Sequence, residues 1–555
     1  MDVRAHKAAG TWRYGAAIIL LGFIVYAKAL HGGFIWDDDA YIKSNAGIKD
    51  ITRIGSLFSQ RVGEGYTGRA TPSPFYRPLQ MALYAVAYAF WGPAPLVYHL
   101  LNVLLHIGVA LCLFGLIAHF FADRQLAGLA ALLYVAHPAH VEVVANATGT
   151  ADPLSALLLL LSFICYAKAC ASPRGPLLAG AVFFFSGALL AKENALVFPL
   201  ALLFYHYVFQ KKVRALLFLP VAGVALCYLM LRAEVLDTAL VDTARFASML
   251  PRVPGFFVGL AAYVRILFFP VGLHVYYGDL LFTFADARAW LGAAFFGLLL
   301  GAVVRCRKRE TLFAFAAGWF LIFLLPVTNI YKVNDSFIKE HWLYLPSAGF
   351  FLVLARALLD FYRRGGGRRR VLGLGAMVLI LAFYAASTVG LCAYWSDPLT
   401  FLKRSIHYYP GYAVFYNELG VELEERGRPQ EAADLYLEAL RRDPGLTAVY
   451  SNLGRSLARA GRYAEAVGAY RRFLAHHPEE VSVYFAVAGC YDKMGRQEEA
   501  GRLLEEGRRK GRELTQKYAL LAEELRAAGR WKEAIAAYRK SLSFVSLPSV
   551  SKSGV

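Results

Sequence analysis

Charge is what this sequence has least of for its length. Asp, Glu, Lys and Arg make up 18% of 555 residues, where soluble chains carry roughly a quarter, and that scarcity excludes a string of ordinary soluble domains. Cysteine is scarce too, seven in all, with no CxxC pair, so no disulfide framework is expected. A phosphate-cradling glycine-rich loop is also missing, and no nucleotide donor is implied. What is present is apolar: 58% hydrophobic residues and a mean hydropathy of +0.44.

The depletion of charge is confined to residues 1–400, where apolar runs long enough to cross a bilayer recur. From Phe401 onward 25 Lys and Arg stand against 20 Asp and Glu, which leaves 34 against 20 in the first part. Most of the net +19 therefore belongs to a membrane domain, where basic flanks orient spans, and no nucleic-acid partner is implied. Apolar runs at 15–34, 95–121, 125–142, 152–170, 177–191, 194–209, 213–231, 287–304, 311–327, 342–361 and 371–392 predict eleven crossings, the first a retained helix rather than a removed signal. Basic clusters at the N-terminus, at Lys211, Lys212 and Arg214, at 305–309 and at 363–370 fall on one side if 252–270 lies at the interface; Pro251, Pro254, Arg265 and Pro270 favour that. The stretch 76–91 is expected to lie along the outer surface. This topology puts the N-terminus in the cytoplasm and loops 35–94, 143–151, 192–193, 232–286 and 328–341 outside, together with the C-terminal domain.

Residues 401–545 match themselves when shifted by 34. Pro410, Pro444 and Pro478 repeat, as do Gly427, Gly461, Gly495 and Gly529, and Ala432, Ala466, Ala500 and Ala534. Leu419, Leu453, Val487 and Leu521 keep one apolar position, followed by Gly420, Gly454, Ala488 and Ala522. That period predicts about four tetratricopeptide repeats, a solenoid whose concave face takes a peptide or protein acceptor. Residues 546–555 are expected to be a disordered tail. The fold class is thus all-α: a polytopic helix bundle followed by an α-solenoid.

Unusual polar residues gather in the outer loops. Trp36 is followed by Asp37, Asp38 and Asp39, three carboxylates that repel one another at a membrane surface unless a proton, a cation or a basic group relieves them. Arg77 follows Tyr76. His99, Asn102 and His106 share one face of the second span. His137, His140 and Glu142 close the third, with Asp152 shortly after; His-x-x-His-x-Glu is compatible with a divalent metal, although orienting the aspartates or a substrate hydroxyl is the favoured role. Lys192 and Glu193 end the fifth span. The last outer loop carries Lys332, Lys339, Glu340, His341 and Tyr344, and a cationic loop opposite carboxylates at headgroup level suits a lipid-phosphate leaving group, on which negative charge develops.

Trp36-Asp37-Asp38, Tyr76-Arg77-Pro78-Leu79, the run Tyr98–His106, His137-Pro138-Ala139-His140-Val141-Glu142, Ala151-Asp152, Lys192-Glu193 and Trp342-Leu343-Tyr344-Leu345-Pro346-Ser347 resemble the transmembrane and tetratricopeptide repeat-containing O-mannosyltransferases and their bacterial relatives. These belong to the C-type membrane glycosyltransferases, which move a sugar from a polyprenyl-phosphate donor to an acceptor outside the cytosol. The resemblance implies an inverting transfer of a mannose-like hexose to a protein hydroxyl, with Asp37 as base and Asp38 beside it. Thr150 and Ala151 stand where the family often has Arg, and His341 where Arg usually follows the acidic residue of the last loop. Phosphate binding then falls to Lys339, Lys332 or Arg77, or the donor differs. A bacterial inner membrane, with the repeats periplasmic, suits the short loops and the Ala/Leu/Arg/Gly-rich composition. The rival expectation is a non-catalytic membrane anchor whose repeats recruit envelope proteins; a flippase would want inverted repeats and mid-span charges.

Overall fold

The structure is a computed structural model that describes residues 11–63, 74–172, 174–236, 249–332 and 336–545. The expected tail, 546–555, lies outside the described residues. The chain divides into two compact units, 1–401 and 402–555, and no strand occurs among the described residues.

The first unit holds α1 (Thr11–Tyr26), α2 (Pro78–Trp91), α3 (Pro95–Phe121), α4 (Arg124–Ala136), α5 (Val141–Ala145), α6 (Ala151–Ala171), α7 (Gly175–Ala191), α8 (Phe198–Val208), α9 (Ala215–Leu236), α10 (Val253–Phe268), α11 (Ala287–Arg305), α12 (Thr311–Leu324), α13 (Ser347–Arg364) and α14 (Gly367–Tyr394). Six stretches among the described residues are long and apolar enough to cross a bilayer: Pro95–Phe121, Ala147–Ala171, Ala215–Leu236, Leu250–Phe268, Ala287–Arg305 and Gly367–Tyr394. A seventh counts if α4 and Pro138–Ala145, bent by 56°, form one broken span. Thr11–Tyr26, Gly175–Ala191 and Thr311–Val327 are shorter apolar helices.

The other expected runs fall on shorter helices; run 194–209, for example, is divided between a 3-10 turn (Glu193–Val197) and a helix of only 11 residues, α8. The stretch expected at the interface, 252–270, holds one continuous apolar helix of 19 residues, Leu250–Phe268. Pro251 and Pro254 sit in opening turns, where a missing N–H costs no helical hydrogen bond, and Pro270 lies beyond the end.

What positions the polar residues is a pair of breaks. Pro138 ends α4 because its ring cannot continue the hydrogen-bond ladder, and the chain turns through Pro138–His140 into the short α5. Asn146 then accepts from the Thr148 N–H and opens the turn Ala147–Thr150, which feeds α6. Gly149 is required there: a Cβ would lie 2.1 Å from the Val143 carbonyl oxygen.

α15 (Pro398–Tyr408), which begins in the first unit, leads into α16 (Ala413–Glu425), α17 (Pro429–Arg442), α18 (Val449–Arg459), α19 (Tyr463–His476), α20 (Val481–Lys493), α21 (Gln497–Ala527) and α22 (Trp531–Val545) of the second. Gly427, Gly461, Gly495 and Gly529 all have φ between 74° and 78°, the left-handed turn joining the two helices of each pair. Gly420 and Gly454 let helices meet: a Cβ at either would come within 2.6 Å of the ring of Tyr436 or Tyr470. The fourth unit departs from the pattern. Where Pro410, Pro444 and Pro478 separate earlier pairs, the chain has Arg512, and α21 runs 31 residues without a break.

Candidate functional site

The three aspartates after α1 do three different things. Asp38 is fully buried. Its Oδ2 accepts the Ile35 N–H at 2.8 Å and its Oδ1 accepts the Thr148 N–H at 2.8 Å. The carboxylate thus ties the first loop to the turn between α5 and α6, across 110 residues of chain. Burial drives its pKa up to about 7, against the opposing pull of the two N–H donors. Asp39 turns outward, accepts the Ser44 hydroxyl at 3.0 Å and pairs with Lys43 at 3.8 Å. Asp37 is partly exposed, next to Trp36, whose φ of 58° is uncommon for a bulky side chain. The Trp36 ring stands edge-on to Phe401 with centroids 5.9 Å apart. The outlier is held between the Asp38 hydrogen bonds on one side and the Phe401 ring on the other.

The turn that receives Asp38 is itself braced by α2 and α3. Asn102 donates to the Asn146 carbonyl at 2.7 Å and accepts the Thr150 hydroxyl at 2.6 Å. Gln80 donates to the Thr148 carbonyl at 3.0 Å, and the Tyr84 hydroxyl to the Ala147 carbonyl at 3.2 Å. His99 reaches the Gly33 carbonyl at 3.4 Å, on the approach to the first loop.

Charges pair differently from their order in the chain. Lys192 and Glu193 do not form a couple. Lys192 holds Asp152 with both carboxylate oxygens at 2.6 Å, and Arg77 grips Glu193 with two bonds of 3.0 and 2.6 Å. Burial raises the Glu193 carboxyl, but the Arg77 charge and hydrogen bonds outweigh it and bring the pKa down to about 2. Glu142 is gripped by His341 through the backbone N–H at 3.2 Å and the ring Nδ1 at 2.9 Å. A cleft opens beside these pairs, lined by the polar Asp152, Lys192, His341 and Tyr344 and by the apolar Leu159 and Phe323.

The remaining expected residues lie among hydrogen-bonding partners of their own. His106 lies between the Tyr344 hydroxyl, at 2.8 Å, and the Val135 carbonyl, at 3.2 Å. His140 contacts the Tyr134 carbonyl at 2.9 Å and the Ser347 hydroxyl at 3.0 Å, and His137 the Leu267 carbonyl at 3.2 Å. All three rings are fully buried, and among the described residues no group of three His, Cys, Asp or Glu is arranged to hold a metal. Buried Glu340 accepts the His274 N–H and the Tyr277 hydroxyl, each at 2.6 Å. Lys339 donates to the Val275 carbonyl at 2.8 Å, and Lys332 pairs with Asp279 at 2.6 Å. Sequence reasoning passed over Gln80, Tyr84, Tyr134 and Tyr277. Gln80 and Tyr84 had a signal, two polar groups one helical turn apart in an apolar run; the others had none.

A family model described as a tetratricopeptide repeat matches residues 400–447 and 451–512. Protein O-mannosyl-transferase TMTC4 of Mus musculus is 25% identical over 76% of this chain and 66% of its own length. Protein O-mannosyl-transferase F38B6.6 of Caenorhabditis elegans is 25% identical over 77% of this chain and 62% of its own. Protein O-mannosyl-transferase tmtc2 of Xenopus laevis is 32% identical over 34% of this chain and 24% of its own. The chain thus spans between 24% and 66% of the length of these curated relatives, and the resemblance read from its motifs extends over most of it.

Proposed function

We propose that the protein is an integral membrane glycosyltransferase. It moves a mannose-like hexose from a polyprenyl-phosphate donor to a hydroxyl of a protein acceptor on the non-cytoplasmic side of a bacterial inner membrane. Three relatives named as protein O-mannosyl-transferases support the activity. The observation that carries the site is the clamp of Asp38 on Thr148, which fixes the first-loop turn against the segment leading to Asp152 and the cleft.

In this reading Asp37 removes the proton from the acceptor hydroxyl. The oxygen attacks the anomeric carbon, and the bond from that carbon to the phosphate oxygen breaks on the opposite face, its electron pair leaving with the lipid phosphate, so configuration inverts. Lys192 and His341, which line the cleft, meet the phosphate, and the apolar lining takes the first prenyl units. Arg77, Lys332, Lys339, His99, Asn102, His106, His137, His140, Glu142, Glu193, Glu340 and Tyr344 hold loops and pairs in place around it. The repeats present the acceptor on their concave face.

The test is sugar transfer from labelled polyprenyl-phosphate mannose to envelope proteins by the purified protein. Asp37→Asn keeps size and packing and is expected to lose about 10²–10⁴-fold in rate while binding lipid donor normally. Asp39→Asn is expected to stay near the starting rate. Full activity in Asp37→Asn would sink the assignment.

A further inference from the structure

The ends of three helices meet around one buried phenol. Tyr205, in the last turn of α8, is fully buried; its ring stacks on Phe120 of α3 with centroids 5.4 Å apart and stands edge-on to Phe163 of α6 at 5.6 Å. Past the end of α8 the chain turns back over that ring. Gln210 takes a φ of 51°, and the Lys211 N–H reaches the His206 carbonyl at 2.9 Å, the bond that closes a helix through a left-handed residue. Glycine usually fills the left-handed position, and an apolar residue often follows it. Here they are glutamine and lysine. The turn folds the Lys211 amine to 5.0 Å from the Tyr205 ring centroid, where Nζ donates to the hydroxyl at 2.6 Å.

An ammonium only donates, so the Tyr205 oxygen is the acceptor in that bond and its own proton must point elsewhere. No acceptor for it stands among the described residues. Further cations surround the phenol. The charges of Lys168 and Lys211 both act on the His119 ring near the end of α3, and those of Lys211 and Arg214 on the Cys170 thiol of α6, with no carboxylate acting on either group. Elsewhere in this unit Arg77, Lys192 and Arg363 each hold a carboxylate. Lys168, Lys211 and Arg214 form no ion pair among the described residues. Helix C-termini attract cations, each carrying about half a negative charge. Three such ends offset about half of three full positive charges, and the surplus suits an anion that also accepts hydrogen bonds.

The surroundings choose the carrier of that anion. Leu200 and Leu203 of α8 and Leu216 and Leu219 of α9 are exposed, so apolar surface leads along both helices to the cations, a path for a ligand with a hydrocarbon tail. Asp152 and Lys168 lie near opposite ends of α6, about 24 Å apart at the rise of a helix. The cations are therefore separate from the cleft that Asp152 lines.

We propose that Tyr205, Lys211, Lys168 and Arg214 bind the phosphate of an anionic membrane lipid at the end of the bundle away from the cleft. The Tyr205 hydroxyl and the remaining N–H bonds of Lys211 donate to the phosphate oxygens, while Lys168 and Arg214 balance its charge. The experiment titrates the full chain in detergent with spin-labelled phosphatidylglycerol and reads the immobilised fraction by electron paramagnetic resonance, with labelled phosphatidylcholine as reference and inorganic phosphate as competitor. Preferential retention of phosphatidylglycerol is expected. Tyr205→Phe alters no charge and hence no span orientation, and should weaken retention about tenfold; Lys211→Gln should weaken it at least as much. Replacing Arg368, Arg369 and Arg370 together by Gln should leave it unchanged, because those arginines lie on α14. Equal retention of the two lipids, full affinity in both Tyr205→Phe and Lys211→Gln, or an equal loss in the triple arginine variant would overturn the proposal. Displacement by millimolar inorganic phosphate would overturn it too, since the ligand would then be free phosphate. None of these readings involves sugar transfer, so they stand apart from any failure of the assigned activity.

Discussion

Neighbouring residues of like chemistry diverge once the chain folds, and Asp37, Asp38 and Asp39 are the clearest instance. Burial holds the Asp38 carboxyl at about 7, against 3.8 for an unburied aspartate. A carboxyl raised on folding binds its proton more tightly in the folded state, so its contribution is complete below the unfolded value and is lost as pH climbs from about 4 to 7. The stability of the protein relative to Asp38→Asn should therefore fall with rising pH across that window, by about 4 kcal/mol in all, read as thermal midpoints in detergent. Glu193 has the opposite sign: held at about 2 by Arg77, it stabilises above 4.5 and loses that contribution as pH drops. Arg77→Ala strands a buried carboxylate and should cost about 3–5 kcal/mol, whereas replacing both partners by apolar residues should cost far less than the sum of the single changes. The sequence displayed these charges but not their couples. Lys192 stands next to Glu193 and yet reaches Asp152, 40 residues back, because the turn after α7 sends the two side chains to different helices.

Elements were legible where a local rule sets them. The glycines spaced by 34 mark each left-handed turn, since a side chain at φ near 75° is strained whatever surrounds it. Two substitutions separate the reasons for keeping glycine. Gly461→Ala meets open space and should cost about 1 kcal/mol of backbone strain alone, while Gly454→Ala drives a methyl into the Tyr470 ring and should cost about 1–3 kcal/mol by overpacking. Melting followed by helical circular dichroism ranks them. Membrane spans were less legible, because hydropathy counts apolar residues and not where a helix breaks. Pro138 bends a nominal span by 56° while Pro254, in the first turn of α10, interrupts nothing. The difference is position within the helix, which composition does not carry.

At the scale of the whole chain, function in this reading requires the outer loops and the repeats to share one side of the membrane. A reporter fused after Arg370 should read cytoplasmic and one at the C-terminus should read outside; a cytoplasmic repeat unit would separate acceptor from site. Deleting residues 411–555 should preserve lipid-donor binding and lower glycosylation of the native acceptor. The boundary between membrane part and repeats was visible as a change in charge density and periodicity, whereas the clamp from Asp38 to Thr148 was not, since nothing in the sequence pairs positions 110 residues apart. One departure from periodicity reaches further. Stacked repeats ordinarily open from their ends one unit at a time, as each is held only by its neighbour. With Arg512 in place of proline, α21 spans about 46 Å as a single rod, so neither of the last two units can melt at a joint between them. Their amide hydrogens should exchange with solvent together, as one cooperative block. Arg512→Pro would restore the joint and split that block into two, the outer half exchanging first.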